Sequence, residues 1–126
     1  MVRIFSYIFF LNILFLQAFS SVIDSFEKAK KVAKLYNKPI ICFFDDKLSE
    51  KQRGEIAREY FSHPSIYQPF SSSHIFTHAP KGERGTSGFM LLSKSGKLLA
   101  NINTYNNFCS LAERISKETF FDKSIK

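Results

Sequence analysis

The sequence predicts an α/β domain with a mixed central sheet of about four strands and helices on both faces. Three observations carry that prediction. Residues 40–44, IICFF, form a continuous apolar run held between Pro39 and Asp45, the pattern of a central strand covered on both sides. Residues 89–93 (FMLLS) and 97–103 (KLLANIN) flank Lys94-Ser95-Gly96, which reads as a β-hairpin with Gly96 free to take positive φ. Amphipathic segments lie before, between and after these runs.

The elements follow in order. Residues 1–20, MVRIFSYIFFLNILFLQAFS, carry one cation, Arg3, no acid, and a nearly unbroken apolar run over residues 4–19. That is a signal-peptide pattern, with Ala18 and Ser20 as the small residues of a cut before Ser21. The run is short of the ~20 residues that cross a bilayer, and an uncleaved anchor is the alternative; in either case residues 21–126 are exported, to a periplasmic or secreted location. From Asp24 the pattern turns helical. Asp24 and Glu27 read as a capping box, and Phe26, Ala29, Ala33 and Tyr36 recur on one face until Asn37, Lys38 and Pro39 end the helix.

After the strand at 40–44 and a loop at 45–48, residues 49–61 read as a second helix, with Ile56, Ala57, Tyr60 and Phe61 on its apolar face. Ser62, His63 and Pro64 break it. The run HIFTH, residues 74–78, reads as the second strand, and residues 80–88, with three glycines, as a loop. Asn106 or Asn107 can cap a final helix lined by Phe108, Leu111, Ala112, Ile115 and Thr119.

The chain of 126 residues has a formal net charge of +7, of which Arg3 supplies one unit. Lys28, Lys30, Lys31, Lys34 and Lys38 fall mostly on the solvent side of one helix, and no basic motif interleaved with glycines or aromatics accompanies them. The excess therefore reads as a solvated basic surface, not a nucleic-acid site, and a membrane partner is expected only if the leader is retained. The two cysteines, Cys42 and Cys109, both lie in the exported part, where a disulfide is chemically permitted. Cys42 sits in a buried-looking strand and reads as a packed core residue; Cys109 falls in the first turn of the last helix.

Four stretches, AKKVAKLYNKPIICFF, REYFSHPSI, GTSGFMLL and SKSGKLLANI, stand in the order and spacing in which the thioredoxin-like superfamily carries similar segments. The chain resembles that superfamily over nearly all of residues 21–126, and within it the exported branch related to thiol-disulfide interchange proteins. The resemblance implies a thioredoxin-like fold. It also implies a tryptophan and a Cys-x-x-Cys between the first central strand and the next helix, where the helix dipole and free amides favour a thiolate. Counting forward from Phe44 puts the pair at Ser49 and Gln52; counting back from Phe61 puts it at Glu50 and Arg53. Neither register holds cysteine, and the chain has no tryptophan. A serine hydroxyl stays protonated without a dedicated base and forms no disulfide. Ser49-x-x-Gln52 reads instead as a capping box.

The family also keeps a cis-proline before its third strand, and Ser87 holds that position. A cis bond before a non-proline residue costs about 2.5–4 kcal/mol, so trans geometry and an altered groove are expected. The resemblance, with both features lost, implies an exported domain without dithiol redox activity, non-catalytic and without a cofactor, that binds a protein or peptide. The alternative is a redox protein working through Cys109 or a Cys42–Cys109 switch.

Remaining constellations add little chemistry. His74 and His78 are four apart, which on a strand places them about 13 Å from each other, too far to share one ion; with His63 in a loop, no metal site is expected. Asp45, Asp46, Glu50, Lys51 and Arg53 would gather at the carboxyl end of the central strand, the edge at which open α/β sheets place ligands.

Overall fold

The computed structural model describes residues 22–81, 87–102 and 106–125, with side chains as far as Thr119. The expected leader and the cut before Ser21 lie outside the described residues. Eight elements follow in order: α1 (Phe26–Tyr36), β1 (Ile40–Asp45), α2 (Glu50–Phe61), α3 (Pro64–Phe70), β2 (Ile75–Ala79), β3 (Ser87–Leu92), β4 (Leu98–Ile102) and α4 (Phe108–Ile125). The four strands form one mixed sheet in the order β2-β1-β3-β4. β1 pairs parallel with β2 and antiparallel with β3, and β3 pairs antiparallel with β4. On the outer edge of β2, Ile23 makes a parallel bridge to Thr77, donating its amide to Phe76 O at 2.9 Å.

The alternation of β1 divides the interior in two, because successive strand side chains point to opposite faces. Ile40, Cys42 and Phe44 meet Ala33 and Phe26 of α1 on one face. On the other, Ile41 and Phe43 meet Ala57 and Phe61 of α2, Ile66 and Phe70 of α3, and Leu111 and Ile115 of α4. The second face is rich in rings: Phe61 stacks on Phe76 with centroids 4.7 Å apart, and Tyr60 lies edge-on to Phe89 at 5.4 Å. The expected mixed sheet with helices on both faces is therefore present, and the unbroken apolar run of β1 reflects its cover on both sides.

Several local expectations change. The cap of α1 is Ser25, whose side chain accepts from the Lys28 amide at 3.3 Å. Asp24, expected in a capping box with Glu27, turns instead toward α2. Tyr36, expected on the buried face, is 61 % exposed, because α1 ends there in an Asn37 with left-handed backbone. Pro64 does not simply end α2. It takes the first position of a short further helix, α3, where its fixed φ fits and its missing N–H is no loss. His63, expected in a loop, caps that helix, its Nδ1 accepting from the Ser65 amide at 3.2 Å. β2 begins at Ile75 and ends at Ala79, so His74 precedes the strand. The hairpin stands nearly as expected, with β3 starting two residues earlier, at Ser87, and Gly96 at φ 90° in the turn. Asn107 caps α4 through the Ser110 amide at 2.9 Å.

Candidate functional site

The β1–α2 junction and the cleft beside it hold most of the polar chemistry. Asp45 closes the strand with a turn in which its Oδ1 accepts from the Lys47 amide at 2.9 Å. Ser49 then starts α2. Its hydroxyl accepts from the Gln52 amide at 3.2 Å, and Gln52 Oε1 accepts from the Ser49 amide at 3.1 Å, the reciprocal capping box read from the sequence. Each of these two side chains is committed to the other's backbone. No sulfur is present at either register.

Arg53 departs from the expected surface cluster. It is 8 % exposed, with Nη1 donating to Leu48 O at 3.1 Å and Nε donating to His78 Nδ1 at 3.4 Å. Since His78 Nδ1 accepts there, the ring proton sits on Nε2, which faces Asp24 Oδ1 at 3.3 Å. Asp24 is in turn held by Arg58 Nη2, at 2.7 Å to Oδ1 and 2.6 Å to Oδ2. His78 is 3 % exposed, so a buried imidazole links the N-terminal segment to two turns of α2. Gly54 permits this approach. A Cβ there would stand 3.3 Å from His78 Nε2 and 3.4 Å from Asp24 Oδ1, which explains a glycine inside a helix where alanine is better by about 1 kcal/mol.

Above this network opens a cleft of about 380 Å³ lined by Asp24, Glu50, Lys51, Gly54, Glu55, Arg58 and His78. Glu50 and Lys51 are where the expected recognition surface put them; Asp45 and Asp46 are not among the lining residues. The lining offers carboxylates and cations but no hydroxyl or thiol, and both nitrogens of its histidine are engaged. Such a lining can hold charged or hydrogen-bonding groups. On the other flank of α2, Ile56, Glu59, Tyr60, His63 and Phe108 line an aromatic cleft of about 440 Å³, in which His63 stacks on Phe108 at 3.9 Å.

Cys42 and Cys109 are both free, the first buried and the second exposed. This fold places the two on opposite sides of the sheet. Cys42 faces the α1 side of the sheet, whereas Cys109 belongs to α4 on the opposite side. Burial pushes the Cys42 thiol up from 9.0 to about 12, against the opposing pull of the Arg53 charge. Ser87 pairs with Asp45 at the carboxyl end of β1; the peptide bond before it involves Thr86, outside the described residues. His74 and His78 serve separate partners. His74 Nδ1 lies 2.8 Å from Ser73 Oγ and its Nε2 3.0 Å from Thr119 Oγ1. Among the described residues no group of three His, Cys, Asp or Glu side chains could hold a metal ion, and no helix is long and apolar enough to cross a membrane.

The Asp24–His78–Arg53 network was not legible in the sequence. Its one signal was Gly54, an isolated glycine in a helical pattern, which marks close approach by another group. Fold and site together define a mixed α/β domain with a polar cleft along its second helix. No protein-family model matches the chain, and no curated protein sequence is similar to it.

Proposed function

We propose that this chain is an exported thioredoxin-like domain without dithiol chemistry, acting by binding a protein or peptide in the polar cleft along α2. The order β2-β1-β3-β4, with Ile23 bridging to the free edge of β2, supports the fold assignment: it provides a parallel half and an antiparallel half around β1. The observation that carries the functional reading is the closed Ser49–Gln52 cap. It occupies the helix start at which a resembling redox domain needs a thiolate, and it leaves no sulfur there.

The cleft beside that cap is lined by Lys51, Glu50 and Glu55 and by the Arg58–Asp24 ion pair, a mixed-charge surface that suits a polypeptide carrying both signs. A peptide array probed with the purified chain tests the reading. Selective capture of mixed-charge peptides, lost in a Lys51→Glu/Glu55→Lys double variant, is the expected result; capture unchanged by that variant removes the cleft from the account. A second reading, a redox protein working through a single thiol, has the exposure of Cys109 in its favour. Disulfide exchange that disappears in Cys109→Ser would establish it.

A further inference from the structure

The outer surface of α1 and the β3–β4 turn lies away from the cleft and is not accounted for by it. Two large apolar side chains stand exposed among the described residues, Leu35 at 78 % and Tyr36 at 61 %, and they are neighbours at the end of α1. Lysines surround them. Lys31 and Lys28 fall one and two turns before Leu35 on the same stripe, and Lys38 Nζ lies 5.7 Å from the centre of the Tyr36 ring.

The turn joins this surface physically. Lys94 Nζ donates to Asn37 Oδ1 at 2.7 Å. A Cβ on Gly96 would stand 2.9 Å from Lys30 Cδ, so the turn is pressed against the helix. Its φ of 90° favours glycine there. On these two segments the only acid is Glu27, which is already paired with Lys30 at 3.1 Å.

We infer that this face is a docking surface for an anionic lipid bilayer, with Leu35 and Tyr36 entering the headgroup layer and the lysines meeting lipid phosphates. Charge complementarity selects an anionic partner. Three further features select a membrane among anionic partners. An exposed leucine gains little from a nucleic acid but transfers readily toward acyl chains. Tyrosine is a side chain that settles at headgroup depth, with its ring apolar and its hydroxyl wet. Every cation on the face is lysine, a flexible point charge, whereas discrete phosphate recognition favours the bidentate fork of arginine. The lysine stems can lie along the apolar layer while their ammonium groups stay in water.

The test is sedimentation of the full chain with vesicles of phosphatidylcholine alone and of phosphatidylcholine with about a third phosphatidylglycerol. Every variant keeps the same leader, Arg3 included, so the leader's contribution cancels when a variant's ratio of the two partition coefficients is compared with that of the unmodified chain. A lysine near an anionic surface contributes about fivefold in partitioning. Lys31→Glu/Lys34→Glu is therefore expected to lower the ratio by at least 25-fold, since reversal adds repulsion to the lost attraction. Leu35→Ser is expected to lower binding to the anionic vesicles while leaving its salt dependence intact. Lys47→Glu/Lys117→Glu makes the same change in net charge elsewhere, and circular dichroism establishes that all variants are folded. Equal losses in the two double variants would reduce the effect to net charge and overturn the inference. So would a ratio near one for the unmodified chain, or binding to polyglutamate or a DNA duplex that matches vesicle binding and ignores Leu35→Ser.

Discussion

Replacing Arg53 with methionine isolates the buried link beneath the cleft. The substitution keeps most of the side-chain stem but removes the donors to His78 Nδ1 and Leu48 O. A buried acceptor left without its donor costs about 1–3 kcal/mol. The contact to His78, at 3.4 Å, is long and belongs at the lower end; Leu48 O is only part-buried and recovers some of its loss from water. Opposing both is relief from holding a guanidinium in a largely buried site. The net expectation is a destabilisation of about 1–3 kcal/mol.

His78→Phe should cost a similar amount, because it strands Arg53 Nε. In the double variant neither partner is stranded, so its cost should fall well short of the sum, with a coupling of about 0.5–3 kcal/mol. Urea unfolding followed by far-ultraviolet circular dichroism measures all three, with m values required to agree. Additivity within about 0.5 kcal/mol, or a stabilised Arg53→Met, would refute the view that these two side chains act as a pair.

Three other outcomes are expected. Ser49→Ala should destabilise by about 1 kcal/mol in the same urea assay through loss of the α2 cap, and Phe61→Ala by about 3–5 kcal/mol, because the ring is buried in the aromatic cluster against Phe76 and Phe89. In folded protein at neutral pH an alkylating reagent should modify Cys109 and spare Cys42, with mass spectrometry recording a second adduct only under denaturant. The Cys42 thiol also sets a stability window. Its value is raised in the folded state, so its contribution is intact below 9.0 and is lost as pH rises from there toward about 12, at about 1.4 kcal/mol per pH unit. Cys42→Ala should flatten the alkaline fall of stability across that interval.

What the sequence revealed divides along physical lines. β1 was legible because a strand buried on both faces must be apolar throughout, and IICFF admits few other readings. The hairpin was legible because Gly96 marks the turn between two apolar runs. The Ser49–Gln52 cap was legible because its hydrogen bonds join residues three apart. α3 was missed because a proline that ends one helix can equally begin the next, and only the His63 ring, anchored on Phe108 from the far end of the chain, distinguishes the cases. The site was hidden for the same reason: Asp24, Arg53 and His78 are brought together by the pairing of β1 with β2 and by the bridge at Ile23, both long-range. Local chemistry made Asp24 a plausible helix cap and Arg53 a plausible surface charge, and tertiary packing gave both other roles.

The central claim is that the chain works without thiol-disulfide exchange, the start of α2 being a helix cap. Insulin reduction in the presence of dithiothreitol tests it most directly. The purified chain, and its Cys42→Ala and Cys109→Ser variants, should all leave the rate at that of dithiothreitol alone. A clear acceleration by the unmodified chain, abolished in Cys109→Ser, would contradict the account.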